Sequence, residues 1–148
     1  MQKWIIRITL LSGAYVLPAS ACAQQLNSTD LTVAGIPYLA DTAVARHALG
    51  APLRADSTTW SYADLELTLE AGRVIRFWLR GPSRTTSRGL RVGDRKSRIA
   101  LLYPHTCFES AELVQVCWRT DDFDSRGMVV QLKDGRIAGI IIGHAFDP

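Results

Sequence analysis

The chain has 148 residues, a formal charge of +3 and three cysteines. The length suits one domain-sized body. Lys3 and Arg7 sit in a leader-like start, which leaves 15 basic against 14 acidic residues beyond it, so the charge makes no case for a nucleic-acid binder.

Residues 1–23, MQKWIIRITLLSGAYVLPASACA, have the layout of a secretory signal. A basic start precedes an apolar stretch from Ile8 to Leu17, then Pro18 and small residues. Two processing readings stand. Ala21-Cys22-Ala23 is a small-x-small site that leaves Gln24 first, whereas Ala19-Ser20-Ala21-Cys22 resembles a loose lipobox that leaves a lipidated Cys22. A leucine is more usual three places before such a cysteine, which favours plain cleavage. No later segment reaches the length of a bilayer span. The expectation is a periplasmic chain, soluble or lipid-anchored.

The first unit, residues 31–80, opens with a helix. Asp41 or Thr42 caps it, Val44, Ala45, Ala48 and Leu49 share one face, and Gly50-Ala-Pro52 ends it. Strands follow. Leu65, Leu67 and Leu69 alternate with Glu66, Thr68 and Glu70, as a sheet with one buried and one wet face requires. Ala71-Gly72 supplies a tight hairpin turn. The returning strand, Val74–Leu79, is apolar on both sides, so its facing is not assigned.

A basic linker at 81–88 leads to the second unit, residues 89–143. Here Asp94 caps a helix with an Ile99, Leu102, Tyr103 stripe, and Pro104 stops it. A second hairpin turns at Asp134-Gly135, and Ile137–Ile142 is again apolar on both sides. A shift of 54 pairs Gly35 with Gly89, Ile36 with Leu90, Ala45 with Ile99, Leu49 with Tyr103 and Gly50 with Pro104. A shift of 63 superposes LTLEAGRVIRFWL on VQLKDGRIAGIII. The second copy therefore carries nine extra residues, which hold or adjoin Cys107 and Cys117. Export and an even pair predict a Cys107–Cys117 disulfide, and the spacing of His105 and the cysteines does not suit zinc.

Leu49-Gly50-x-Pro52, Trp60-x-Tyr62 and Leu67-x-Leu69-x-x-Gly72-Arg73-Val74 resemble the outer-membrane assembly lipoproteins of the SmpA/OmlA (BamE-like) type. Two such units in tandem are similar to the β-lactamase inhibitor protein fold. The second copy departs from the pattern, with Pro104 in place of the glycine and Trp118 standing alone. The resemblance implies a non-enzymatic, protein-binding module of the cell envelope; the residues themselves lead us to expect no cofactor and no metal. The expected architecture is α+β: two tandem copies of a helix-plus-antiparallel-sheet unit, packed into one body.

Two features nominate contacts for a protein partner. Trp60, Tyr62, Trp78 and Trp118 fall on predicted strands, and Trp and Tyr bury large areas at little entropy cost. Residues 79–98 hold seven basic residues and one acid, nominating Arg84, Arg88, Arg91 and Arg95 for an anionic partner. Arg95 and Lys96 fall in the predicted first turn of the second helix, where cations are disfavoured. An enzyme is not expected. His47, His105 and His144 have no nucleophile arrangement around them, and Asp121, Asp122 and Asp124 lack calcium-loop spacing. The function expected is inhibition of an envelope enzyme, in the manner of an inhibitor or immunity-type protein. The alternative is an envelope-assembly lipoprotein that scaffolds outer-membrane machinery.

Overall fold

The computed structural model describes residues 26–117 and 126–145, with Cys117 described for its backbone alone. The leader with Cys22, and the segment with Trp118, Asp121, Asp122 and Asp124, lie outside the described residues.

The described chain begins by contributing to the core. Asn27 caps a 3₁₀ turn, Ser28–Leu31, by accepting from the Thr29 and Asp30 N–H groups, while the Asp30 carboxylate accepts from the Asn27 N–H at 2.9 Å. Such a reciprocal box satisfies donors that a helix start leaves open. A small ribbon follows, β1 (Thr32–Val33) against β2 (Ile36–Pro37). Leu26, Leu31, Val33 and Ile36 are buried, so this stretch packs into the body rather than trailing from it.

Helix α1 (Thr42–Leu49) ends at Gly50, whose φ of 76° carries the chain out of the helix. The Asp41 side chain makes no capping bond. Strands β3 (Arg54–Ala55), β4 (Thr59–Ser61), β5 (Leu65–Glu70) and β6 (Arg73–Leu79) follow. After the linker come α2 (Ser97–Leu102), β7 (Phe108–Glu109), β8 (Leu113–Cys117), β9 (Arg126–Lys133) and β10 (Arg136–His144). All eight strands from β3 onward form one antiparallel sheet in the order β3-β4-β5-β6-β10-β9-β8-β7.

That sheet overturns the α+β expectation of two helix-plus-sheet units packed together. The described chain is mostly β, with helices of eight and six residues beside a two-stranded ribbon and one uninterrupted sheet. The physical reason lies in β6 and β10. Both are apolar on two faces, which suits central strands, and they pair with each other from Ile140 opposite Leu79 to Gly143 opposite Arg76. The second helix also starts later than the sequence suggests. Asp94 does not cap it: its carboxylate accepts from the Arg91 N–H, and its carbonyl accepts from the Ile137 N–H. Arg95 and Lys96 precede the helix, bound to the β9–β10 turn by Lys96 N–H to Gly135 O at 2.9 Å.

Contacts nonetheless recur across the sheet at the two offsets. Leu39 N–H donates to Val74 O and Gly93 N–H to Ile137 O, each at 2.8 Å. Val74 N–H donates to Ala40 O and Ile137 N–H to Asp94 O, each at 2.9 Å. Thr42 N–H bonds Gly72 O as Lys96 N–H bonds Gly135 O. The β5–β6 pairing skips Ile75 and the β9–β10 pairing skips Ala138, matching bulges 63 residues apart that strengthen the local twist. Both hairpin turns take positive φ at their two central residues, 48° and 75° at Ala71-Gly72 and 53° and 73° at Asp134-Gly135. This is the backbone that two-residue hairpins favour.

Candidate binding face

Register separates the two faces of the sheet. Residues directly opposite each other point the same way. Leu65, Leu67, Phe77, Leu79, Val114, Val116, Met128, Val130, Ile140 and Ile142 form the inner face, buried with Ala45 of α1 and Ile99 and Tyr103 of α2. Along β6 the facing that sequence left open is thereby assigned: Phe77 and Leu79 point inward, Trp78 outward.

The outer face carries one continuous row across every strand. It runs Arg54, Ser61, Glu66, Trp78, Ile141, Val129, Gln115, Phe108, each opposite the next. One end is polar and charged, the middle apolar, and Phe108 at the far end is 51% exposed. Trp78 is half-buried at the centre. The Arg80 guanidinium lies 5.4 Å from its ring centroid, within cation–π range. Arg80 also pairs with Glu66 at 3.2 Å, and Ser61 Oγ donates to the same carboxylate oxygen at 3.4 Å.

Beneath the indole edge sits Gly139. A Cβ there would lie 2.6 Å from Gln131 Oε1 and 3.0 Å from Trp78 Nε1, so a glycine leaves room for both side chains. The indole N–H is nevertheless buried, with no hydrogen-bond partner among the described residues. Buried polar groups are nearly always satisfied, so this donor is a local cost of the packing around Gly139.

The other nominated aromatics lie elsewhere. Trp60 and Tyr62 are each 9% exposed and belong to the inner core. Arg46 of α1 stacks on Trp60 at 5.1 Å, and Tyr62 Oη donates to Gly50 O at 3.3 Å. The structure therefore does not bring Trp60 and Tyr62 together with Trp78 on one surface.

The arginines also divide. Arg88 is a structural anchor, donating Nε to Asp30 Oδ1 at 2.9 Å, Nη2 to Asp30 Oδ2 at 2.7 Å and Nη1 to Leu102 O at 3.0 Å. Its guanidinium stacks 4.8 Å from the Tyr103 ring, and Tyr103 Oη in turn donates to Thr86 Oγ1 at 2.7 Å. Burial pushes the Asp30 carboxyl upward, but the bonds from Arg88, Asn27 and Ser87 outweigh it and hold the group below its ordinary value. Burial likewise raises the Tyr103 hydroxyl. Arg91 and Arg95 are exposed, and Arg84 is half-buried. Sequence reasoning missed Asp30, whose only local signal is its box with Asn27.

Among the described residues no helix is long and apolar enough to cross a membrane. No family model matches the sequence, and no curated protein matches it either. Among solved structures, the fold is similar to the 1.5 Å crystal structure of an extracellular protein containing a SCP domain from Bacillus anthracis str. Ames. That similarity has a TM-score of 0.57 and 10% sequence identity, over 82% of this chain and 48% of the other. The chain thus spans about half the length of that protein, and the likeness is one of fold alone.

Proposed function

We propose that this chain is a non-enzymatic protein-binding module that works outside the cytoplasm and blocks an envelope enzyme. The observation that carries the reading is the outer row centred on Trp78, Ile141 and Val129. It combines a partly exposed aromatic anchor with an apolar centre and a charged edge, the makeup of a hot-spot cluster with a polar rim. Arg54, Arg73, Arg76 and Arg80 outnumber Glu66 and Glu70 on this face, so the partner segment it suits is an acidic loop with apolar neighbours. The leader-like residues 1–23 and the extracellular character of the structural neighbour support an exported setting.

Site-specific photo-crosslinking tests the reading. A crosslinker at Gln115, on the outer row, should join the chain to an envelope enzyme whose activity falls as the complex forms. A crosslinker at Ala48, exposed on α1, should not. Capture from Ala48 instead, or a complex that leaves the enzyme fully active, contradicts it.

A further inference from the structure

The matching contacts of the two sheet halves permit a comparison of charge position by position. Beside the first hairpin turn, Glu70 stands opposite Arg73, and Arg73 stands opposite Asp41. The order is negative, positive, negative. Beside the second turn, Lys133 stands opposite Arg136, and Arg136 opposite Arg95. The same three places now read positive, positive, positive. All six residues are exposed.

Like charges directly opposite each other across strands destabilise a sheet, so the second row is unfavourable as it stands. None of its three cations has a carboxylate within ion-pair distance among the described residues. The nearby Asp94 is engaged by Arg98 at 3.3 Å and by the Arg91 N–H at 3.1 Å. Asp134, in the turn itself, makes no ion pair among the described residues. Arg136 Nη1 donates to Gly93 O at 2.9 Å, which holds its guanidinium against the backbone rather than letting it swing away from its neighbours.

We propose that Lys133, Arg136 and Arg95 form an anion-binding site that takes a multivalent oxyanion of the phosphate or sulfate class. Neighbouring strands lie about 4.8 Å apart, so the three places span roughly 10 Å. A single monovalent anion would leave most of that charge uncompensated, whereas a chain of phosphates or sulfates can meet all three. Guanidinium groups suit such oxygens because their donors are planar and paired. The site stands apart from the Trp78 row and does not depend on it.

The test is thermal unfolding of the full chain with tripolyphosphate, sodium sulfate, dextran sulfate or a polyglutamate peptide, each against sodium chloride of matched ionic strength. Tripolyphosphate should raise the melting temperature with a saturating dependence, as binding to the folded state alone requires. Dextran sulfate acting where the small anions do not would assign the source as a polymer. The double variant K133E/R95D restores the charge order of the first turn. It should be more stable than the parent without anion and should bind tripolyphosphate at least roughly tenfold more weakly. If that variant fails to fold, R136Q decides by the same loss of response. An unchanged response in the variants, an equal effect of sodium chloride, or binding of polyglutamate alone would overturn the proposal.

Discussion

Trp78 and Ile141 lie directly opposite each other across the β6–β10 ladder, and they are also 63 residues apart, the offset that superposes the two hairpins. The local twofold of the sheet therefore passes between them. The outer face breaks that symmetry, because an indole occupies one place and a small aliphatic chain the other. Gly139 completes the asymmetry: its counterpart at the same offset is Arg76. A valine at 139 should displace both Gln131 and the Trp78 indole, costing about 1–3 kcal/mol as overpacking does. Thermal unfolding and the NMR position of the Trp78 indole N–H check this together, and an unmoved indole resonance would contradict the packing described.

The two tryptophans should separate cleanly by mutation. Trp60→Ala opens the inner core beside Leu67 and Arg46, and should cost about 3–5 kcal/mol of stability. Trp78→Ala removes a half-buried ring from the outer face and should cost less. Denaturant unfolding of both variants measures the difference, and equal losses would place the two rings in equivalent surroundings.

Acid sensitivity should centre on Asp30. Its pKa is lowered in the folded chain, so the unfolded state binds the proton more readily. The Asp30 contribution is then complete above the ordinary carboxyl value near 3.8 and fades as pH falls through the lowered folded value. Asp30→Asn leaves Arg88 without its charge partner and should cost roughly 3–5 kcal/mol near neutral pH. The gap between parent and variant should narrow below about pH 4. Denaturant midpoints taken from pH 7 down to pH 2 check the sign.

Much of the sheet was legible because its signals are local. The Leu65, Leu67, Leu69 alternation identifies the inner side of β5, and the Gly-containing turns locate both hairpins. What was not legible is set by partners distant in sequence. β6 and β10 are apolar on both sides, and only their pairing with each other tells Trp78 from Phe77. Trp60-x-Tyr62 reads like a strand with an aromatic surface, yet Trp60 stands opposite Leu67 and turns inward. The seven cations of residues 79–98 read as one basic run offered to an anionic partner, whereas Arg88 crosses 58 residues to reach Asp30. The α+β expectation failed for a similar reason: the pairing of β6 with β10, which no local pattern shows, joins all eight strands into one sheet, while backbone bonds to β10 and its turn hold residues 93–96 outside the second helix.

The cysteines make a separate prediction. Cys107 N–H donates to Gln115 O at 2.9 Å, just beyond β7, and Cys117 ends β8. The two residues therefore meet the same end of one hairpin, and Cys107–Cys117 should be oxidised in an oxidising compartment. Reduction should lower stability by about 2–3 kcal/mol. Thiol labelling with and without reductant checks it, and two freely reactive thiols in the folded, unreduced protein would contradict it.

The claim that the outer row binds an enzyme is tested most directly by the dissociation rate of that complex with parent and Trp78→Ala chains. Loss of a central aromatic anchor should cost about 2 kcal/mol or more of binding, most of it as faster dissociation. Neutralising Arg84, Arg91 and Arg95 should instead slow association and flatten its salt dependence. A folded Trp78→Ala chain that dissociates at the parent rate would show that the partner binds elsewhere.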